Sequence, residues 1–379
     1  MIMHIARATY PTVFIVIVNW NGKKYLRGCF SSLQELIYPK QKLKIILVDN
    51  GSSDGSVSWV KKIYPKTMII QNNENLGFAK ANNMGISFAL RNKEVSYIVT
   101  LNNDTKVDRY WIKHLIDFME KNKKVGVAVG KILQFYNRNI IDSAGDFLCK
   151  DNFRVVNRGY NERDQGQYYF PQEIFSACAA ASVFRRETLE QIKINNEFFD
   201  EDFVSYIEDV DLNVRARLKN WLCFYVPDAV VYHIGSATSS KISKEYKEYL
   251  SRRNRILFAV KNFPLFYLII LLLHYILPSK RGSFYYFSEK IKHRLKKRGN
   301  KFLVKNSIFF HIKKTYKYYM WGGEELSIIQ VFFVNLRALY SALKLLPKMI
   351  KKRKIIQKNR QISEKEVIRW FKNLVISQP

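Results

Sequence analysis

The sequence predicts an α/β protein with a doubly wound, mostly parallel sheet and flanking helices, followed by a basic helical region. Apolar, β-branched runs of strand length alternate with segments of helical period through the first 135 residues, as in βαβ units. Charge is uneven: of the net +31, residues 1–250 carry about +7 and residues 251–379 about +24. We therefore expect two units with a boundary near residue 250.

The individual elements follow from local patterns. Residues 12–18 (TVFIVIV) form a continuous apolar run, which suits a strand covered on both faces, and residues 43–48 (LKIILV) form a second such strand. Leu26 and Leu33 recur at helical spacing between them. The alternation continues with a strand at 68–70, a helix at 79–90, a strand from 97, a helix at 109–121 and a strand at 125–133.

Polar side chains follow these strands where each one ends. They are Asn19 and Asn21, Asp49 and Asn50, Asn73 and Asn75, and Asn103 and Asp104. The carboxyl ends of parallel strands meet at one edge, where ligands bind in open α/β sheets, so this edge predicts a crevice for a base, a ribose and phosphates. Residues 97–108 (YIVTLNNDTKVD) also bring a carboxylate suited to a hard cation. The alternative for each cluster is a turn whose side chains bond their own backbone.

A second polar centre lies in residues 198–217. Its acids are Asp200, Glu201, Asp202, Glu208, Asp209 and Asp211, with Arg215 and Arg217 after them. Acids at the start and Arg at the end also suit the dipole of an ordinary helix. The pattern alone is therefore compatible with a chemical site and with a purely structural helix. Residues 221–232 then predict a strand ending on His233, which is either structural or a contact for metal or diphosphate.

The C-terminal region combines basic and apolar segments. Residues 263–278 are apolar but shorter than the roughly 20 residues that a spanning helix needs, which favours a re-entrant or in-plane segment. A single span that is tilted or lies in a thinned bilayer is the alternative. The clusters at 290–298 and 348–354 suit anionic lipid head groups. A soluble appendage and a nucleic-acid surface are the alternatives, and no nucleic-acid motif accompanies the charge.

Two further features concern the compartment. No apolar run of signal-peptide length precedes Pro11, and the four cysteines lack disulfide or metal spacing, as in a reducing compartment. We therefore expect a protein at the cytoplasmic face of the cell membrane, peripheral or shallowly inserted.

Six motifs in order carry a family resemblance. VIVNWNG, VDNGSSDGS, NLGFAKANNMGI, LNNDT, FFDEDFVSYIEDVDLNVR and VPDAVVYH resemble glycosyltransferase family 2, in particular its rhamnosyltransferase-like branch, over about residues 13–235. The resemblance implies a GT-A fold with a Rossmann-like sheet, a nucleotide-sugar half at about 11–135 and an acceptor and catalytic half at about 136–250. It further implies inverting transfer of one sugar from a dTDP- or UDP-sugar, with dTDP-rhamnose a candidate, to a lipid-linked or cell-surface glycan.

The resemblance also assigns residues to roles. Asp209 is the expected base, and Glu208 positions or tunes it. The donor site comprises Asn19, Asn21, Asp49, Asn50, Asn75, Gly77, Asn82, Asn103 and Asp104. Asp104 and His233 are the expected ligands of Mg²⁺ or Mn²⁺. Asn102 replaces the first acid of the family's Asp-x-Asp motif, which leaves one carboxylate fewer and puts a strict metal requirement in doubt.

Two other classes of protein compete with this interpretation. A nucleotidyltransferase needs a Gly-rich, basic phosphate loop after its first strand, and the loop NWNGKKYL is poor in that respect. A non-enzymatic basic protein that binds nucleic acid or membrane explains the charge but not the aligned amides and acids. The Gln-x-x-Arg-Trp signature of processive synthases is incomplete, since Arg369-Trp370 lacks the Gln, so we expect a single addition.

Overall fold

The computed structural model describes residues 10–149, 155–235, 242–264, 326, 328–373 and 375–376. Contacts divide them into two units. The first unit takes in the described residues up to 235 together with those from 351 onward, and the second takes in those between 242 and 350. The predicted apolar segment lies outside the described residues from position 265 on, as does the whole cluster at 290–298.

The strands of the first unit lie in two sheets. They are β1 (Thr12–Asn19), β2 (Leu43–Asn50), β3 (Met68–Asn72), β4 (Val95–Asn102), β5 (Thr105–Val107), β6 (Val125–Gln134), β7 (Ile141–Ser143), β8 (Asp146–Cys149), β9 (Val155–Asn157), β10 (Gln172–Glu173), β11 (Ala181–Arg185), β12 (Leu222–His233) and β13 (Val375–Ile376). The main sheet has the order β10-β12-β6-β11-β4-β1-β2-β3, with β5 on β12 and β7 on β6, and the small sheet has the order β13-β8-β9.

The α-helices flank the main sheet or form the second unit. They are α1 (Lys23–Gln34), α2 (Ser56–Ile63), α3 (Phe78–Leu90), α4 (Trp111–Lys121), α5 (Arg186–Ile192), α6 (Glu208–Leu218), α7 (Lys244–Asn262), α8 (Ile328–Lys358) and α9 (Glu364–Asn373). Short 3-10 helices occupy Lys40–Lys42 and Glu201–Phe203.

The predicted parallel sheet is confirmed for its first half. Strands β3, β2, β1 and β4 are parallel neighbours, and β12 is parallel to β6. Strand β11 runs antiparallel between β4 and β6, and the short strands β5, β7 and β10 also pair antiparallel, β5 and β10 with β12 and β7 with β6. Most residues in the segment 176–184 (SACAAASVF), which leads into β11, are small or apolar. All five residues of β11 are buried, so the strand lacks the alternation of exposed and buried residues that identifies a half-buried strand.

The core forms where the helices cover the buried strands. On β1, Val13, Ile15 and Ile17 are fully buried, and they belong to one cluster with Phe30 of α1 and Trp111 of α4. Helix α3 contacts β1 and β2, and a Cβ on its Gly85 would lie 2.3 Å from Val16 Cγ1, so this close approach requires glycine. The sheet edge that carries the polar residues is thereby held on a rigid scaffold.

The end of the chain packs on α6. The backbone N–H of Gln361 donates to the carbonyl of Leu218 at 2.9 Å, and the Arg217 guanidinium lies 5.1 Å from the centre of the Trp370 ring. Lys352, part of the cluster at 348–354 that we expected on lipid, is buried and bonds to carboxylates of the protein. The prediction that the cluster at 348–354 faces lipid is therefore wrong for Lys352.

None of the helices in the part of the chain that the structure describes is both long enough and apolar enough to cross a bilayer.

Candidate active site

Side-chain amides link the ends of β1, β2 and β4. The Asn103 Nδ2 donates to Asn19 Oδ1 at 2.8 Å, and Asn19 Nδ2 donates to Asp49 Oδ1 at 3.0 Å and to Ser52 Oγ at 3.1 Å. The other oxygen of Asp49 accepts from the Ser52 N–H at 2.9 Å. Both oxygens of the fully buried Asp49 therefore hold the loops in place.

Asn21 joins the loop after β1 to the loop after β2. Its backbone N–H donates to Ser52 Oγ at 2.8 Å, and its Oδ1 accepts from the Ser53 N–H at 2.8 Å. The residue has a φ of 49°, a left-handed conformation that asparagine tolerates better than most residues. The structure thus brings Asn21 together with the β2 turn, as the shared edge predicts.

A third group of predicted donor residues lies between β2 and α3. Asn50 Nδ2 donates to Asn75 Oδ1 at 3.1 Å and to the Gly77 carbonyl at 3.2 Å, and Asn75 Oδ1 also accepts from the Gly77 N–H at 3.0 Å. Gly77 has a φ of 84°, which favours glycine. Asn82 donates to the Phe78 carbonyl inside α3, so its amide nitrogen is used within its own helix.

Asn83, which the sequence did not single out, connects α3 to the segment before α6. Its Oδ1 accepts from the N–H groups of Phe198 and Phe199, at 3.1 and 2.8 Å, and its Nδ2 donates to the Phe199 carbonyl at 2.8 Å and to Glu201 Oε1 at 3.1 Å. The available signal was a pair of asparagines inside a helix, where this residue type is unfavourable. The donor half and the acidic segment are thereby fixed to each other.

Asp104 and His233 meet because β5 pairs with β12. The ladder places Thr105 opposite His233, and His233 Nε2 lies 3.3 Å from Asp104 Oδ1. On the other side of the ring, His233 Nδ1 lies 2.9 Å from Asp142 Oδ2. Burial lowers the pKa of His233, but the hydrogen bonds to the two carboxylates outweigh it and raise the pKa to about 10.

Asp104 and His233 can supply two ligands to a divalent cation, which would displace the proton on His233 Nε2. With Nδ1–H donating to Asp142, the Nε2 atom faces Asp104, which is how a metal-binding histidine is usually oriented. Within the described ranges no cluster of three or more His, Cys, Asp or Glu could hold an ion. Two protein ligands are enough where phosphate oxygens and water supply the others, as is common for Mg²⁺. Asp142 lies in the short strand β7, and no sequence motif pointed to it.

Asp209 lies in the first turn of α6. Its Oδ2 accepts from the Ala179 N–H at 3.2 Å and its Oδ1 from its neighbour's N–H, that of Val210, at 2.8 Å. Burial raises the pKa of Asp209, and these backbone bonds limit the rise.

The Glu208 carboxyl is buried, and its Oε2 has no hydrogen-bond partner among the described residues. Burial, and then the charge of Asp209, raises the pKa of Glu208 well above its usual value.

Two consecutive alanines join Asp209 to the end of β4. The Ala179 N–H donates to Asp209, and the next carbonyl, that of Ala180, accepts from the Asn102 N–H at 2.8 Å. The Thr100 hydroxyl also donates to the Ala179 carbonyl at 2.8 Å. The expected base and the Asn102–Asp104 turn therefore belong to one edge of the sheet.

Asp146 is a further acid near the base that sequence reasoning missed. Its Oδ2 accepts from Ser176 Oγ at 2.9 Å, and its other oxygen has no partner among the described residues. Burial, followed by the charge of Asp209, raises the pKa of Asp146 well above its usual value. The surroundings of Asp209 are thus both acidic and poorly hydrated, which favours proton uptake by a carboxylate.

Gly22→Ala should weaken nucleotide binding, because a Cβ at this position would lie 2.2 Å from Asn103 Nδ2 and 2.5 Å from Asn19 Oδ1. We expect the dissociation constant of a nucleoside diphosphate, measured by calorimetry, to rise about tenfold, the equivalent of one lost hydrogen bond. Gly28→Ala is the matched control, since a Cβ on this α1 glycine meets nothing within 4 Å. Equal affinity of the two variants would show that the hydrogen bonds linking Asn103, Asn19 and Asp49 do not shape the nucleotide site.

Sequence comparison identifies proteins that are similar to this chain. The model of glycosyl transferase family 2 matches residues 14–193. The N-acetylglucosaminyl-diphospho-decaprenol L-rhamnosyltransferase of Mycobacterium tuberculosis is 24% identical over 236 residues, 58% of this chain and 75% of that protein. An uncharacterized glycosyltransferase of Haemophilus influenzae is 28% identical over 243 residues, 63% of this chain and 70% of that protein.

Solved structures share the fold. The mannosyltransferase PcManGT of Pyrobaculum calidifontis, solved with GDP-Man and Mn²⁺, matches with a TM-score of 0.52 and 13% identity over 89% of this chain and 88% of that one. Residues 1–349 of Staphylococcus aureus TarS, solved with UDP-GlcNAc, match with a TM-score of 0.50 and 18% identity over 72% of this chain and 75% of that one. The main sheet and its helices thus have the GT-A fold, and the chain resembles glycosyltransferase family 2, in particular its rhamnosyltransferase-like branch, with the family model matching residues 14–193.

Proposed function

We propose that this glycosyltransferase moves one sugar, with inversion, from a dTDP- or UDP-sugar to a lipid-linked or cell-surface glycan acceptor. The observation that carries the proposal is the link from Asp209 through Ala179 and Ala180 to the Asn102 backbone, because it brings a carboxylate of raised pKa to the edge that holds Asp104 and His233. Inverting transfer requires this pairing of a base with a site for the departing diphosphate.

The reaction is a single displacement. The Asp209 carboxylate accepts the proton of the acceptor hydroxyl as that oxygen bonds to the anomeric carbon. The bond from this carbon to the diphosphate breaks, and the nucleoside diphosphate leaves with the electron pair. Glu208, buried beside the base, holds a proton more readily than an ordinary glutamate, so Asp209 is the member of the pair left to ionise.

A bound Mg²⁺ or Mn²⁺ would neutralise charge on the leaving diphosphate. Asp104 and His233 would hold it, with Asp142 orienting the imidazole. Asn103 directly precedes Asp104, and its bond to Asn19 would hold the loops that orient the donor.

The acceptor proposal rests on relatives and on charge. The mycobacterial relative is named for a rhamnosyl transfer to a sugar diphosphate on a polyprenol, which supports a lipid-linked acceptor and makes dTDP-rhamnose the first donor to try. The basic region from residue 251 suits the cytoplasmic face of the cell membrane, where we propose that the protein lies peripherally or shallowly inserted.

Transfer to a synthetic polyprenyl-diphosphate N-acetylglucosamine tests the proposal. The labelled product should carry one added sugar, and proton NMR should show an anomeric configuration opposite to that of the donor. A retained configuration would contradict the displacement mechanism, and a ladder of products would contradict single addition.

Asp104→Ala should weaken binding of the nucleoside diphosphate in the presence of Mn²⁺ by about tenfold to a hundredfold, the usual cost of a lost contact to a metal site. The affinity without Mn²⁺ should not fall, because the carboxylate itself repels phosphate. Titration calorimetry with and without the ion separates the two effects. An equal loss in both conditions would mean that Asp104 supports the fold rather than a cation.

A further inference from the structure

One face of α8 is covered with large apolar side chains that are exposed. They are Phe332, Phe333, Leu336, Leu339, Tyr340, Leu343 and Ile350, which we call the α8 apolar face. Their exposed fractions lie between 38% and 61%. Most of them recur at spacings of three and four residues, so they share one side of the helix.

The opposite side of α8 is packed within the second unit. Val334, Ala338, Ala342 and Met349 are all buried. The Tyr249 hydroxyl of α7 donates to Ser341 Oγ at 2.8 Å. The helix orientation is therefore set by its own contacts, and its most apolar face is the one that points away from them.

Charge borders this face with one sign only. Arg337, Lys344 and Lys348 follow one another at spacings of seven and four residues along one edge, which we call the basic edge. The Lys344 ammonium lies 4.5 Å from the centre of the Tyr340 ring, so the edge and the face adjoin. The sequence of α8, which is 31 residues long, contains no Asp or Glu.

We propose that the α8 apolar face inserts into the head-group region of an anionic lipid bilayer, with α8 parallel to the membrane plane. Aromatic and leucine side chains on one side with Lys and Arg beside them are typical of interfacial helices. The positive edge complements anionic lipid. This inference rests on the proposed function, since an enzyme that acts on a lipid-linked acceptor must reach the bilayer surface.

Co-sedimentation of the full-length protein with vesicles tests the inference. Binding should be strong on vesicles of phosphatidylcholine with phosphatidylglycerol, weaker on pure phosphatidylcholine, and weaker in high salt. The double variant Leu336→Ser with Leu343→Ser should bind about a hundredfold less, the cost of leaving two leucines out of an apolar environment. Ile63→Ser, an exposed isoleucine of α2, is the matched control and should bind like the wild type.

A second pair of substitutions tests the charge. Lys344→Gln with Lys348→Gln should lower binding to the anionic vesicles by about fivefold for each charge removed, with no change on neutral vesicles. Thermal melts should show all variants folded, since the changed side chains are exposed. Wild-type binding by the Leu336→Ser/Leu343→Ser variant would overturn the inference. So would light scattering that shows a dimer for the wild type and a monomer for that variant, because a second copy would then cover the face.

Hydrolysis of the nucleotide sugar by water separates this inference from the proposed function. Hydrolysis requires no lipid, so the variants with substitutions on α8 should hydrolyse the donor at the wild-type rate. If no nucleotide sugar is hydrolysed but the α8 substitutions weaken vesicle binding, the proposed function is wrong and the α8 apolar face is still a membrane-binding surface. If the donor is hydrolysed but the α8 substitutions leave vesicle binding unchanged, only the membrane-binding role of the α8 apolar face is excluded.

Discussion

Replacing Asp209 by Asn should lower kcat by about a hundredfold to ten-thousandfold, the usual contribution of a general base, while nucleotide affinity stays unchanged. The amide has nearly the shape of the carboxylate and offers one oxygen to the Ala179 N–H, so the packing at the start of α6 should persist. Steady-state kinetics with a saturating donor measure the first effect and calorimetry the second. Asp117→Asn, a partly exposed acid on α4, is the control and should be fully active.

The pH profile adds a signature that a structural role would not produce. Burial raises the pKa of Asp209 above its ordinary value of 3.8, and a base must be ionised to act. The wild-type kcat/KM should therefore rise with pH through an inflection above 3.8, and the Asn variant should lack this rise. A fully active variant with the same profile would exclude Asp209 as the base.

Replacing Lys352 by Met should destabilise the first unit by about 3–5 kcal/mol, the cost of removing one partner from a buried ion cluster. Its Nζ lies 3.1 Å from Glu197 Oε2, 2.5 Å from Asp200 Oδ1 and 2.8 Å from Asp202 Oδ2. Without the ammonium, three neighbouring acids would lose this shared partner. Urea denaturation at neutral pH measures the loss as a difference in the free energy of unfolding.

The controls for Lys352 follow from the same contacts. Lys354→Met removes an exposed ammonium two residues away and should change the free energy of unfolding by less than about 0.5 kcal/mol. Adding Asp200→Asn to Lys352→Met should restore part of the stability, because it removes one of the acids. Burial lowers the pKa of Lys352, but the charges and hydrogen bonds of Asp200 and Asp202 together outweigh burial and raise the pKa well above 10.5.

The sign of the pH effect follows from this raised pKa. The contribution of Lys352 to stability is complete below the unfolded value of 10.5 and is lost only as the pH rises through the higher folded value. Equal stability of the Met variant and the wild type at neutral pH would mean that the end of the chain does not hold the acidic segment.

Much of the nucleotide half could be predicted because its strands are buried on both faces. Continuous apolar runs such as residues 12–18 and 43–48 give a strong strand signal, and parallel pairing then places the polar residues after them on one edge. The family resemblance assigns Asp104 and His233 to one metal site, and the pairing of β5 with β12 brings the two side chains to 3.3 Å.

The features that were missed depend on contacts distant in sequence. Asp142 meets His233 from 91 positions away, and Lys352 meets Asp200 from 152 positions away, so no local pattern connects either pair. A lysine in a run of basic residues reads as a solvated or lipid-facing charge until its partners are known. Strand β11 has only five residues, which is too short for periodicity to distinguish it from a small apolar loop.

Release of nucleoside diphosphate tests the central claim most directly. The purified protein would be incubated with UDP-, dTDP- and GDP-sugars, each with and without Mn²⁺, beside the Asp209→Asn variant. With the polyprenyl-diphosphate N-acetylglucosamine acceptor present, we predict that one class of donor is turned over, faster with Mn²⁺, and that this turnover is lost in the variant while nucleotide binding remains. No turnover and no binding across the whole panel would contradict a glycosyltransferase site at this edge of the sheet.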